Sequence, residues 1–516
     1  MAIKVGGTEV ITNARQLSNI ASVDSATVTA LGAAGIGGGG GATEFVATGT
    51  IPNGAAVGLK TDGTIEVIAN TPSNTPSVLD NGSIDSTNYI NGVDIVYCSG
   101  SDRYVISYQD GNNNNLKMVV AQLVNGAFVF GSIYIAASIT TYVPEKQALS
   151  YDVTRDKVLS MYAETNSGQV YVKCLTVNTS DNSLTQNSSI QVTTNGPDAN
   201  GFCIVYEPNS GKHVVFWNGS GCKAVALTVA SGGSSISKGS ELTIKSGNWD
   251  YTTATVDTDN NKVILVYSNA NDSGKGFATA ISISGTTLSA GTLTEFLGST
   301  MAFSSCTYDT SNDRFVVAYT KDSNNQGYVK VASISGSTLS FGSEISFHAD
   351  TTYGKSIVYD PDTSRVSIAF RDAGNNQKIK VMFGTISGTS ISFQAETTID
   401  EDECTGPPVN QTYDTTADKF VAIYRNDTDQ KIGYTVYSSA TTNVNSWIGL
   451  AAEAISNGSS GKVTTIGGVN EGQSSLTIGS TYYVAENGTL KTGSTTVKAG
   501  RATAATKIYI TEGNAQ

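Results

Sequence analysis

A segment of about fifty residues recurs seven times, and no other feature of the chain narrows its fold as far. The fragments YDVTRDKVLSMY, YEPNSGKHVVFW, VDTDNNKVILVY, YDTSNDRFVVAY, YDPDTSRVSIAF and YDTTADKFVAIY begin at Tyr151, Tyr206, Val256, Tyr308, Tyr359 and Tyr413. A degenerate first copy, YCSGSDRYVISY, begins at Tyr97. The starts lie 54, 55, 50, 52, 51 and 54 residues apart. Six residues after each start stands a base (Arg103, Lys157, Lys212, Lys262, Arg314, Arg365, Lys419). Eleven after each start stands an aromatic (Tyr108, Tyr162, Trp217, Tyr267, Tyr319, Phe370, Tyr424). Two positions held through seven otherwise divergent copies do not arise by chance.

Each period holds four strand-like runs, shown by the copy at Tyr308: Phe303 to Tyr308, Phe315 to Tyr319, Tyr328 to Ile334 and Leu339 to Phe347. Turn clusters such as Ser311-Asn312-Asp313 and Ser335-Gly336-Ser337 separate them. In the second run both parities are apolar, which is the pattern of a strand covered on both faces. Four strands per period, each period stacked between two others, describe the blade of a β-propeller. A solenoid would need polar caps and usually a shorter repeat. The expected fold is therefore all-β: a seven-bladed β-propeller with a short N-terminal arm and a small C-terminal β domain. Composition agrees, with 54 Gly, 24 Tyr and apolar residues at 39%.

The expected domains are an arm and glycine linker (1–41), a short β segment (42–84), the propeller (85–440) and the C-terminal β domain (441–516). After Tyr437 the last copy lacks its fourth strand, and the run Gly63 to Ala69 (GTIEVIA) is expected to supply it. Alternatively, residues 42–84 pair with the C-terminal domain, since GLKTDGTI at Gly58 to Ile65 echoes its phrasing. Stretches 14–21 and 25–34 of the arm are helix-compatible but too short to fold alone. Gly37 to Gly41 form a flexible linker.

The opening, MAIKVGG followed by ITNARQLSNIASVDSAT, resembles the N-terminal segment of tail-fibre and other structural proteins of marine and cyanobacterial phages. The closing phrase GGVNEGQSSLTIGSTYYVAENGTL with VKAGRATAATKIYI is similar to a C-terminal module of phage fibre-like proteins. The two segments cover roughly a fifth of the chain. The resemblance implies a non-enzymatic virion component made in the host cytoplasm, attached to other virion proteins through the arm. It also implies a homo-oligomer, with a trimer as the expectation. A tail fibre is favoured over a head-decoration or architectural tail protein.

Acidic residues (44) outnumber Lys and Arg (31), giving a formal charge of -13, so nothing attracts nucleic acid or anionic lipid. The opening lacks the basic and apolar regions of a secretory signal, and no run is long and apolar enough to insert in a membrane. The six cysteines form no CxxC pair and read as buried thiols. Of two histidines, His213 sits in a second strand and His348 near the end of an outer one, so neither a Ser-His-Asp site nor a histidine metal site is supported. Acids such as Asp372, Asp427, Asp322 and Asp272, or the run from Asp400 to Glu403, could in principle give a glycosidase pair. They read instead as loop acids, because the sialidase pattern SxDxGxTW is missing. Asp257 to Asn260 and Asp360 to Asp362 alternate oxygen ligands as calcium loops do, yet every copy has a turn there. No cofactor and no metal are expected.

Turns between the first and second strands keep one length in all copies, whereas those between the second and third vary (QDGNNNN, NGSG, TKDSNNQ, RDAGNNQ). Varied loops on a rigid scaffold are where recognition lives. In a propeller they share a face with the connections between blades. The expected ligand-binding residues on that face are Asn113, Trp249, Tyr251, Asn324, Tyr353, Asp372 and Asn376. Amides and exposed aromatics there suit a host-surface glycan, and a sugar-binding lectin or propeller glycoside hydrolase remains the alternative class.

Overall fold

The computed structural model describes residues 3–5, 8–11, 41–85, 90–111, 113, 115–124, 126–138, 147–164, 169–194, 201–404, 409–428, 431–492 and 497–511. The described chain is all-β, interrupted by three short 3-10 turns. It divides into two units, one of residues 70–441 and one of 1–69 with 442–516.

In the larger unit every repeat becomes an antiparallel sheet, and in the first six the strands follow chain order. In the fifth repeat the order runs from Thr294–Asp309 through Arg314–Lys321 to Gln326–Ser335. The single outer run expected at Leu339 to Phe347 is instead two pieces. Thr338–Phe341 and the start of Ile345–Asp360 both pair with Gln326–Ser335. Ile345–Asp360 then continues as the innermost strand of the sixth repeat, so one 16-residue strand ends one sheet and begins the next.

Second strands are buried on both faces, as their sequence requires: all eight residues of Arg103–Asp110 are buried. Their two faces feed different cores. Seven apolar clusters each draw from two successive repeats. The one formed by Val93, Ile106 and Tyr108 with Val421, Ile423 and Val436 joins the seventh repeat to the first. Innermost strands follow the same order, with Ile90–Cys98 beside both Gln147–Asp152 and Asn410–Asp414.

The outer strand of the last repeat is Asn70–Ser83, beside Lys431–Thr442. This corrects the expectation that residues 63–69 fill the place. Ile65–Val67 pairs with Ala56–Leu59 in the smaller unit, where Ile65 and Val57 are fully buried. An outermost strand is wetted on its open side, so Asn70–Ser83 needs no apolar alternation and tolerates Pro72 and Pro76. Asp80 fixes it by accepting from the Phe128 N–H (3.0 Å) and the Tyr434 hydroxyl (3.1 Å).

The smaller unit has two five-stranded sheets. In one, Ala42–Val46 and Ala56–Leu59 pair with Ser460–Thr464 and Trp447–Ala451, so the segments flanking the repeats fold together. Near the N-terminus Ile3–Val5 pairs with Thr8–Ile11. The helix-compatible stretches and most of the glycine linker lie outside the described residues.

Candidate functional site

The two ends of the repeat sheets do different work. At the constant turns, the residue after each repeat start is an acid in six copies: Asp152, Glu207, Asp257, Asp309, Asp360 and Asp414, each at most 1% exposed. Each accepts hydrogen bonds from the backbone N–H groups two and three residues ahead, as Asp309 does from Ser311 (2.9 Å) and Asn312 (3.1 Å). Five residues after each start the backbone is left-handed, at Asp102, Asp156, Gly211, Asn261, Asp313, Ser364 and Asp418. These carboxylates close turns. The oxygens of Asp257 and Asp360 that resembled calcium ligands are committed in this way.

Tyrosines at the repeat starts fasten each turn to the preceding one. Tyr413 donates to Asp362 (2.8 Å), Tyr359 to Ser311 (2.6 Å), Tyr308 to Asp259 (3.2 Å) and Tyr206 to Thr154 (2.7 Å). Tyr97 donates to Thr416 (2.6 Å), which links the first repeat to the last. The rings of Tyr206, Tyr308, Tyr359 and Tyr413 border a cavity of about 540 Å³ between the innermost strands.

At the variable-loop end lies a second cavity, of about 280 Å³, and it is the candidate site. Five residues before the repeat starts the innermost strands bulge, with left-handed backbone at Gly92, Tyr251, Phe303 and Gly354. Glycine occupies such a conformation without strain, whereas a non-glycine residue brings its Cβ against a carbonyl oxygen, at about 1–2 kcal/mol. Tyr251 and Phe303 are held there, and both line the cavity. Their rings are 5.2 Å apart, and Tyr353 continues the row 5.7 Å from Phe303. The Arg371 guanidinium covers Tyr353 at 5.1 Å. All three rings are half-buried, each leaving part of its surface open.

Polar groups complete the lining. Gln147 donates to the Gly92 carbonyl (3.1 Å), while its own buried Oε1 has no hydrogen-bond partner among the described residues. Asp94 accepts from the N–H groups of Ile95 (2.9 Å) and Leu149 (2.7 Å), yet burial pushes its carboxyl up to about 7. Lys355, 4% exposed, donates to the Phe303 carbonyl (2.6 Å) and the Thr320 hydroxyl (2.5 Å). Burial holds its ammonium well below the usual lysine range.

The residues expected at the site separate into three groups. Tyr251 and Tyr353 meet through Phe303. Asn113, Asn324 and Asn376 are exposed in the loops of the first, fifth and sixth repeats, where Asn113 bonds to Asp110 and Asn324 to Gln326 and Tyr328. Trp249 and Asp372 are corrections. Trp249 is fully buried and packs on Tyr267, because its side of the strand faces the core shared by the third and fourth repeats.

Asp372, 2% exposed, lies 2.7 Å from the Lys380 ammonium and 3.2 Å from His348 Nε2. Burial raises its pKa, but the bond from Lys380 and the charges of His348 and Lys380 outweigh that and leave it below the usual carboxylate range. His348 Nδ1 is 2.7 Å from Glu396, and Lys380 bonds Glu396 as well. His348, Asp372 and Glu396 converge as metal ligands would. The Lys380 ammonium already bridges both carboxylates, so the group is an ion network that fastens the fifth repeat to the sixth.

A Ser-His-Asp contact also exists: Ser150 Oγ is 3.1 Å from His213 Nδ1, and Asp152 is 3.8 Å from Nε2. All three are buried, and 3.8 Å is too long for the hydrogen bond that would orient a catalytic imidazole. Burial pushes the His213 pKa down, and the ring serves packing.

Sequence reasoning missed Phe303, Gln147, Asp94 and Lys355. Phe303 carried a usable signal, since it stands five residues before a repeat start, where Tyr251 also stands. Lys355 carried none, being one lysine in a stretch without pattern.

No family model matches the chain, and no curated protein matches it. Among solved structures it is similar to a protein from Lactobacillus plantarum at 15% identity and a TM-score of 0.46, over 67% of this chain and 96% of that one. It is similar to AofleA from Arthrobotrys oligospora at 9% identity and a TM-score of 0.41, over 69% of this chain and 95% of that one. Both TM-scores fall below 0.5, a likeness too loose to carry fold or function across.

Proposed function

We propose that residues 70–441 form a seven-bladed β-propeller within a non-enzymatic phage virion protein, a tail fibre, whose variable-loop face binds a host-surface glycan. The observation that carries the binding reading is the row Tyr251, Phe303 and Tyr353, of which the first two line a cavity with polar walls and are held on strained backbone. Strain persists where the surrounding structure over-determines it, and it gathers at ligand sites. Ring faces take the apolar side of a pyranose, while Gln147 Oε1 and Asn410 at the wall can meet its hydroxyls. Support for seven blades comes from the seven shared cores and from Asn70–Ser83 completing the last repeat. The virion assignment rests on the two terminal segments.

Binding is favoured over hydrolysis because the described lining offers one carboxylate, Asp94, whereas glycosidases as a rule place two across the scissile bond. The test is calorimetric titration of the full chain with purified host-surface oligosaccharides, neutral and acidic. Binding that weakens at least tenfold in Tyr251→Gly and Phe303→Gly, with the fold intact, is the expected result. Cleavage of a glycan, lost in Asp94→Asn, would overturn the reading, as would affinity indifferent to both ring deletions.

A further inference from the structure

We propose that the variable-loop cavity is selective for an acidic sugar, whose carboxylate is received by Lys355. The inference rests on the glycan reading above and names the ligand's charge. Lys355 is a buried amine with no carboxylate partner among the described residues. Acid is not scarce, since Asp and Glu number 44 against 31 bases. Several lysines on the sheets do have carboxylates, as Lys117 has Asp85 and Asp110, Lys275 Asp272 and Glu295, Lys321 Glu344, and Lys380 Asp372 and Glu396. Lys238 and Lys330 bond backbone carbonyls as Lys355 does, but both are less buried than Lys355.

Burying an ammonium without a counter-charge is unfavourable, and the unfavourable term disappears when a ligand brings the missing anion. Two of its three hydrogens go to the Phe303 carbonyl and the Thr320 hydroxyl, and the residue borders the cavity. The third is left for a ligand oxygen in a charge-assisted bond. Burial lowers the affinity of the empty site's amine for its proton, and a bound carboxylate restores it. At about 280 Å³ the cavity lies just below the small-ligand range, roughly 300–1,000 Å³, which suits one sugar ring rather than a chain. Phe303 connects the two halves of the site: its ring belongs to the aromatic row and its carbonyl holds the ammonium. A uronic acid, with an apolar ring face and a carboxylate at one corner, matches both.

The experiment titrates the full chain with a uronic-acid oligosaccharide and with the same oligosaccharide after its carboxyl is reduced to the alcohol. The acidic form is expected to bind at least tenfold more tightly, and Lys355→Met is expected to reduce its affinity to that of the reduced form. Equal affinity of the wild-type chain for both forms would overturn the charge assignment while leaving the glycan reading intact. A preference that survives Lys355→Met in a folded variant would also overturn it. Should neither form bind, the glycan reading itself falls. The wild-type comparison decides without the variant if Lys355→Met does not fold.

Discussion

Glycine costs a strand about 0.5–1 kcal/mol relative to alanine, but at a left-handed position the Cβ of any other residue costs about 1–2 kcal/mol. Tyr251 and Phe303 stand where Gly92 and Gly354 stand in the first and sixth repeats. The usual order should therefore invert: Phe303→Gly is expected to be more stable than Phe303→Ala by about 1 kcal/mol, measured by urea denaturation. The opposite order would show that the backbone there is not strained. Asp94 supplies a second residue-level expectation. With its folded carboxyl raised to about 7 and an ordinary value when unfolded, the folded state keeps a proton that the unfolded state has released. Its stabilising contribution is complete below pH 4 and is lost as pH rises through 7. The whole shift corresponds to about 4 kcal/mol, which contact with the cavity reduces to on the order of 2. Asp94→Asn should gain that much on the wild type between pH 4 and pH 8 in paired denaturation curves, and parallel curves would contradict it. Single residues were the least legible scale in the sequence. Tyr251 and Tyr353 stood out as aromatics beside variable loops, but the same rule selected Trp249, whose strand side no periodicity revealed. Asp372 looked like a loop acid because its partners His348 and Lys380 come from other strands.

At the scale of elements, repetition is what made the chain readable. Two positions fixed through seven copies marked the second strand, and its doubly apolar pattern announced burial on both faces. The acid after the start recurs in six of the seven copies, the residue four further on is Asp, Asn, Ser or Gly in all of them, and the structure supplies their reason in the turn. Asp309→Ala is expected to cost about 2–3 kcal/mol, since it strands the N–H groups of Ser311 and Asn312. Asp309→Asn should recover part of the loss, and equal melting of the two variants would count against the turn role. Asn70–Ser83 was illegible for the opposite reason: an outer strand of Ser, Thr, Asn and Pro carries no apolar alternation. Asp80→Ala, which removes the acceptor for Phe128 and Tyr434, is expected to cost about 1–2 kcal/mol, whereas an exposed change such as Thr75→Ala should cost little.

For the whole molecule, the repeats and the paired flanking segments divide the labour. Residues 42–69 and 442–511 build their own sheets with their own cores, and among the described residues the repeats are held by cores that each join two of them. The arm is assigned to attachment by resemblance. Deleting residues 1–40 should leave a soluble chain with its β-sheet spectrum and nearly the same melting temperature, but one missing from purified particles. Normal assembly of that truncation would move the attachment site to the segment from Trp447 onward. The most direct measurement of the central claim is electron microscopy of intact virions labelled with antibody fragments against the variable loops around Asn324 and Asn376. The account requires label at the outer end of a tail appendage, with the labelled particles failing to adsorb to host cells. Label on the head, or adsorption unaffected by saturating fragment, would contradict it.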